Sequence, residues 1–114
     1  MSRLLATEGV FQAIACPTRR ALIDSLARGE RNVGELVASL SVTQSAVSQH
    51  LGVLKRAGLV RERSAGRFRY YRLRVQPLAE VESWVARYRA HVERQLDSLG
   101  RVLDALPDEP DEDS

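Results

Sequence analysis

The spacing of apolar residues changes at Gly58, and no single element accommodates both sides of that change. Before it, Val47, Leu51 and Leu54 recur four and three residues apart, which places them on one face of a helix and predicts that they point into a core. After it, Leu59-Val60-Arg61-Glu62-Arg63 and Phe68-Arg69-Tyr70-Tyr71-Arg72-Leu73 partly alternate, as half-exposed strands do. Ser64-Ala65-Gly66-Arg67 joins the two runs as a hairpin loop. The chain is therefore required to turn from helix into hairpin at one glycine.

The rest of the first sixty residues reads as helices. Leu4, Leu5, Val10, Phe11 and Ile14 predict a first helix over 4–15. Pro17 suits a first helical turn and opens a second, about 17–28, which ends at Gly29 and buries Ala21, Leu22, Ile23 and Leu26. VGELVASL (33–40) is a short third helix, and Ser41-Val42-Thr43 a turn. Thr43 caps the fourth helix, 44–57, by accepting from its free backbone N–H groups.

Pro77 opens a last helix with a heptad seam of Leu78, Val81, Val85, Tyr88, Val92, Leu99, Val102 and Leu106, widened by Trp84, Leu96 and Leu103. A continuous helix of some thirty residues is about 45 Å long. A chain this short cannot cover such a seam, so a second copy is expected to. Leu78, Val81, Val85, Tyr88, Val92 and Leu99 are the candidate dimer interface. Residues 1–106 are expected to form one domain, followed by an acidic, disordered tail over 107–114.

The formal net charge of +2 hides an asymmetry. The last eight residues hold five acids and no base, which leaves 17 basic and 10 acidic residues over 1–106. Residues 55–74 hold eight bases (Lys55, Arg56, Arg61, Arg63, Arg67, Arg69, Arg72 and Arg74) and one acid, Glu62. That density marks a surface for a polyanion. Two short helices, a three-residue turn and a capped helix form a helix-turn-helix, whose last helix would read DNA. Gln44, Ser45, Ser48 and Gln49 on its outer face are short or amide side chains able to reach base edges. Lys55, Arg63, Arg67, Arg69 and Tyr70 are the candidate phosphate and hairpin contacts. Tyr70 and Tyr71 point to opposite faces, one of them inward. His50 on the reading helix is placed to touch phosphate or to pack against the hairpin.

ACPTRRALIDSL, then VGELVASL, then TQSAVSQHLGVLKRAGLV, then RSAGRFRYYRL resemble, in order, spacing and residue type, the ArsR-type (ArsR/SmtB) winged helix-turn-helix regulators. The resemblance covers about residues 8–105. It implies a mainly α fold with a small β-hairpin, dimerised through the first and last helices. It also implies a homodimeric repressor that blocks a promoter and is released by a signal. The metal-sensing members carry a Cys-x-Cys pair in the third helix, where this chain has Val37 and Ser39. A second metal site in the family uses carboxylates and two histidines on the last helix, which here has only His91. No metal and no cofactor are therefore expected.

Cys16 precedes a helix start close to Arg19 and Arg20, an arrangement that favours thiolate and makes it a candidate redox sensor beside a plain structural role. A single cysteine excludes an internal disulfide framework. No phosphate loop, nucleophile elbow or zinc-protease pair is present, so an enzyme is not expected. No apolar run reaches membrane-spanning length and the start is not a secretion signal, which predicts a cytoplasmic protein without a membrane partner. The expected partners are double-stranded DNA and a second copy of the chain; the sequence names no effector. A winged helix used only for protein contact is the alternative.

Overall fold

The computed structural model describes residues 9–107, which fall into two compact units with the boundary after Val81. In the first unit, α1 (Val10–Ala13) buries Val10 and Ala13. Carbonyls at its C-terminal end take hydrogen bonds from side chains of the next helix. Arg19 donates to Gln12 O at 3.0 Å and Ala13 O at 2.6 Å, and Arg20 donates to Ile14 O at 2.8 Å. Cations at a helix C-terminus complete its hydrogen bonding and suit its dipole. The predicted helix over 4–15 is thus confined to Val10–Ala13 among the described residues, with Leu4 and Leu5 outside them.

The second helix, α2 (Pro17–Ala27), starts at Pro17 and buries Leu22, Ser25 and Leu26. Ala21 and Ile23, expected on that side, are half-buried. A two-residue strand, β1 (Arg31–Asn32), follows, which the sequence did not announce. Asn32 also opens α3 (Val33–Ser39) with a reciprocal cap. Its side chain accepts from Glu35 N at 2.8 Å, and Glu35 accepts from Asn32 N at 2.9 Å.

Thr43 caps α4 (Gln44–Arg56), its hydroxyl accepting from Ala46 N at 3.1 Å. Val47, Leu51 and Leu54 are buried, as their spacing predicts. At the far end, Gly58 N donates to Lys55 O at 3.0 Å and Leu59 N to Leu54 O at 2.9 Å. These two bonds define a Schellman stop, which needs a left-handed residue at Gly58, where φ is +80°. Leu59 and Leu54 are both fully buried, the apolar contact that accompanies this motif.

The hairpin consists of β2 (Val60–Ala65) and β3 (Phe68–Leu73), joined by Gly66-Arg67. Gly66 has φ +63° and Arg67 a negative φ, which fits a two-residue turn with glycine first. Strands β2 and β3 pair from Val60↔Leu73 to Ala65↔Phe68. With β1 on the other side of β3, the sheet order is β1-β3-β2 and both pairings are antiparallel. Tyr71 is buried and Tyr70 half-exposed, so the two do point apart. The core joins Leu22, Leu26, Leu36, Val47, Leu51, Leu54, Leu59 and Tyr71, with Leu78 and Val81 packed against its edge. Each fully buried leucine contributes about 1.5–3 kcal/mol.

The expected single helix from Leu78 to Leu106 is two helices, α5 (Leu78–Ala86) and α6 (Arg89–Ala105). At the break, Arg87 N bonds Trp84 O at 3.2 Å and Tyr88 N bonds Val85 O at 2.9 Å, so the ladder tightens to three-residue steps. The Trp84 and Tyr88 rings meet in a tilted contact, centroids 5.4 Å apart, across it, and Arg89 reaches back to Glu82 at 2.6 Å. No residue of α6 is buried. No described helix is long and apolar enough to cross a membrane.

Gly58→Ala places a Cβ in left-handed backbone and, besides, 3.4 Å from Pro77 Cγ. It is expected to cost about 1–2 kcal/mol, read as a lower midpoint in urea unfolding; an unchanged midpoint contradicts the assigned turn.

Candidate nucleic-acid interface

The Thr43 cap and the buried row Val47, Leu51 and Leu54 fix the rotation of α4 about its axis. That rotation leaves Gln44, Ser45, Ser48 and Gln49 exposed together near the helix start. Between this face and the hairpin runs an open groove of about 580 Å³, lined by Gln44, Ser48, Arg67, Phe68, Arg69 and Tyr71 together with Asn32 and Val33. Side chains expected to reach base edges and side chains expected to meet phosphate thus face one space. Phe68, half-exposed beside the turn and 6.3 Å from the Tyr70 ring, lines it as well. It was not among the sequence candidates, although an exposed aromatic at a hairpin tip is itself a signal.

The four candidate phosphate cations have different surroundings. Arg63 makes a bidentate pair with Glu30, both contacts at 2.8 Å, and lies over the Tyr70 ring at 4.9 Å. Lys55 and Arg69 both bind Glu62, Arg69 at 2.9 Å. Arg67, in the turn, has no acidic partner among the described residues. The hydrogen bond from Lys55, and after it the charges of Lys55 and Arg69, hold the Glu62 carboxyl below its ordinary value against partial desolvation. The Arg63 hydrogen bond does the same for Glu30. The role of Glu30 was not legible because Arg63 lies 33 residues away in sequence, and that of Glu62 because its partners, each seven residues away, are brought to it by the turn at Gly58 and the hairpin register.

His50, expected to touch phosphate or the hairpin, has its hydrogen bond to the second helix. It is half-buried against α2, where Arg19 Nη1 donates to its Nδ1 at 3.3 Å. Cys16 is half-buried at the start of α2. The Arg19 backbone N–H lowers its thiol pKa most, without closing a cap hydrogen bond; desolvation opposes this, and the Thr18 N–H and the Arg19 and Arg20 charges assist.

A thiolate metal site does not fit α3. Val37 packs against the core and Ser39 Oγ donates to Leu36 O at 3.1 Å. The described residues contain no cluster of three histidine, cysteine or acidic side chains able to hold a metal.

Of the candidate interface residues, Leu78 and Val81 pack at the edge of the first unit's core. Val85, Tyr88, Val92 and Leu99 are exposed, with Leu96, Val102, Leu103 and Leu106 beside them.

A family model described as "Bacterial regulatory protein, arsR family" matches residues 16–62, from the start of α2 into β2. An HTH-type transcriptional regulator of Mycobacterium tuberculosis is 39% identical over 109 residues, covering 96% of this chain and 99% of that protein. The transcriptional repressor SdpR of Bacillus subtilis is 32% identical over 79 residues, covering 69% of this chain and 88% of the repressor. The crystal structure of an ArsR family transcriptional regulator superposes with a TM-score of 0.66 at 34% identity, over 75% of this chain and 93% of that one.

Glu30 and Glu62 have folded pKa values below the ordinary 4.5. Such a carboxyl adds stability that is fully present above its unfolded value and lost as pH falls through the lowered folded value. The melting temperature of the wild-type chain is therefore expected to drop on acidification below about pH 4.5. The Glu30→Gln/Glu62→Gln double variant should start lower at neutral pH and drop less over that window. Parallel curves from thermal melts would contradict these pairings.

Proposed function

The chain belongs to the arsR family of bacterial regulatory proteins, a class of regulators and not of enzymes, and from that premise we propose a sequence-specific duplex-DNA-binding repressor that occupies a promoter as a homodimer. The observation that carries this proposal is the shared groove. Gln44 and Ser48 at the exposed start of α4 share it with Arg67 and Arg69 of the wing, and Ser45 and Gln49 are exposed on the same turns of the helix. Glutamine matches adenine in the major groove and serine is permissive, so the helix start reads bases. Arginines at the hairpin supply backbone contacts, which position the protein without reading sequence. Arg67 is the wing's principal phosphate ligand on this proposal, since it need not give up an acid to bind. Arg63 acts chiefly by fastening the wing to the segment before β1.

The second unit supports the homodimer. An amphipathic α6 without one buried residue, and an apolar row of Val85, Tyr88, Val92 and Leu99, require a cover. A second copy supplies an identical stripe and produces two reading helices related by two-fold symmetry. The names of the relatives, a regulator and a repressor, support repression as the outcome. Action on a bacterial chromosome places the protein in the cytoplasm.

Fluorescence anisotropy with a duplex selected by the wild-type chain from a randomised library, and with a scrambled duplex, tests the assignment. Arg67→Ala is expected to weaken both about equally and to reduce the salt slope by about 1. Gln49→Ala or Ser48→Ala is expected to narrow the gap between the two duplexes by about 1–3 kcal/mol. A loss at Arg67 confined to the selected duplex, or an unchanged gap at Gln49 and Ser48, would overturn these roles. No selection of any duplex at low salt would point to a protein-contact module. Val92→Asp is expected to yield a monomer in sedimentation velocity; a persistent dimer would remove the α6 face from the interface.

A further inference from the structure

We propose that Glu62 is a positioning residue for duplex binding: one carboxylate holds Lys55 of α4 and Arg69 of β3, so that reading helix and wing meet DNA as one unit. This inference rests on the DNA-binding proposal above. Glu62 is the lone acid among eight bases over 55–74. Its two oxygens are divided between its partners, Oε1 to Lys55 and Oε2 to Arg69. The carboxylate is 19% exposed, while the Lys55 and Arg69 side chains are 56% and 65% exposed. The acid therefore lies beneath its cations, and the cations retain outward surface for phosphate. Glu62 and Lys55 also line an open groove with Ser48, one of the proposed base readers, and with Tyr71 beneath.

A carboxylate beside a phosphate backbone repels it, so Glu62 lowers affinity by simple charge. What it supplies instead is order. Lysine and arginine each lose rotamer freedom when fixed, and here that loss is met before DNA arrives. The Lys55 bond ties the base-reading helix to β2, and the Arg69 bond holds the same carboxylate from within the wing. Loosening them should therefore move selected and random binding in different ways. A purely electrostatic role would raise both affinities by one factor, and a purely structural role would lower the melting temperature and both affinities together.

The test compares wild type, Glu62→Gln and Glu62→Asp as full chains, by anisotropy on the selected and scrambled duplexes, with thermal melts to confirm folding. Glu62→Gln is expected to bind the scrambled duplex about threefold more tightly and to lower the selected-to-scrambled ratio about tenfold. Glu62→Asp keeps the charge but is one methylene too short to hold both cations. It should lower the ratio without tightening scrambled binding. A ratio that stays at the wild-type value in either folded variant overturns the positioning role while leaving DNA binding intact. A wild-type chain that prefers no duplex overturns both.

Discussion

The turn at Gly58 is the constraint on which the functional half of the molecule depends. A Schellman stop closes α4 with two defined hydrogen bonds, and Leu59 drops into the core against Leu54 as the chain leaves the helix. One residue later Val60 begins β2. The hairpin therefore emerges from the end of α4 at an angle set by backbone geometry, not by a flexible linker. Everything that pairs α4 with the hairpin, from the buried Tyr71 to the Glu62 contacts, presupposes that geometry.

Two acids then organise a strongly basic surface. Glu30 holds Arg63 across the sheet and Glu62 holds Lys55 and Arg69 between helix and strand. Exposed ion pairs of this kind contribute little to global stability, typically about 0–1 kcal/mol. Their consequence is local: they separate cations with a fixed place from Arg67, which has no acid of its own among the described residues. A surface that is basic overall is thereby divided into a fastened frame and a tip whose arginine is not held by an acid among the described residues. Arg19 performs a similar fastening on the other side of α4, joining the end of α1 to His50.

Local patterns made much of this legible. The three-and-four spacing of Val47, Leu51 and Leu54, the Thr43 cap and the alternating hairpin depend on neighbours within a few residues, and the structure has them. The cap at Asn32 is equally local, since an asparagine followed three residues later by glutamate is its signature. Strand β1 was not legible, because two residues carry no period and exist as a strand only through Tyr70 and Tyr71. The roles of Glu30, Glu62 and Arg19 were hidden for the same reason: their partners are set by tertiary folding. The break at Arg87 and Tyr88 contains no glycine or proline, so a heptad pattern ran through it unmarked. The seam itself survives as an exposed apolar row, and its place in a dimer remains part of the proposal.

The central claim is that α4 reads bases from a symmetric dimer while the wing grips the backbone. Hydroxyl-radical footprinting of the wild-type chain on its selected duplex tests this most directly. The account predicts two protected windows related by two-fold symmetry, with centres about one helical turn, or a multiple of it, apart. A single window would contradict the dimer, and even protection along the whole duplex would contradict base reading by α4.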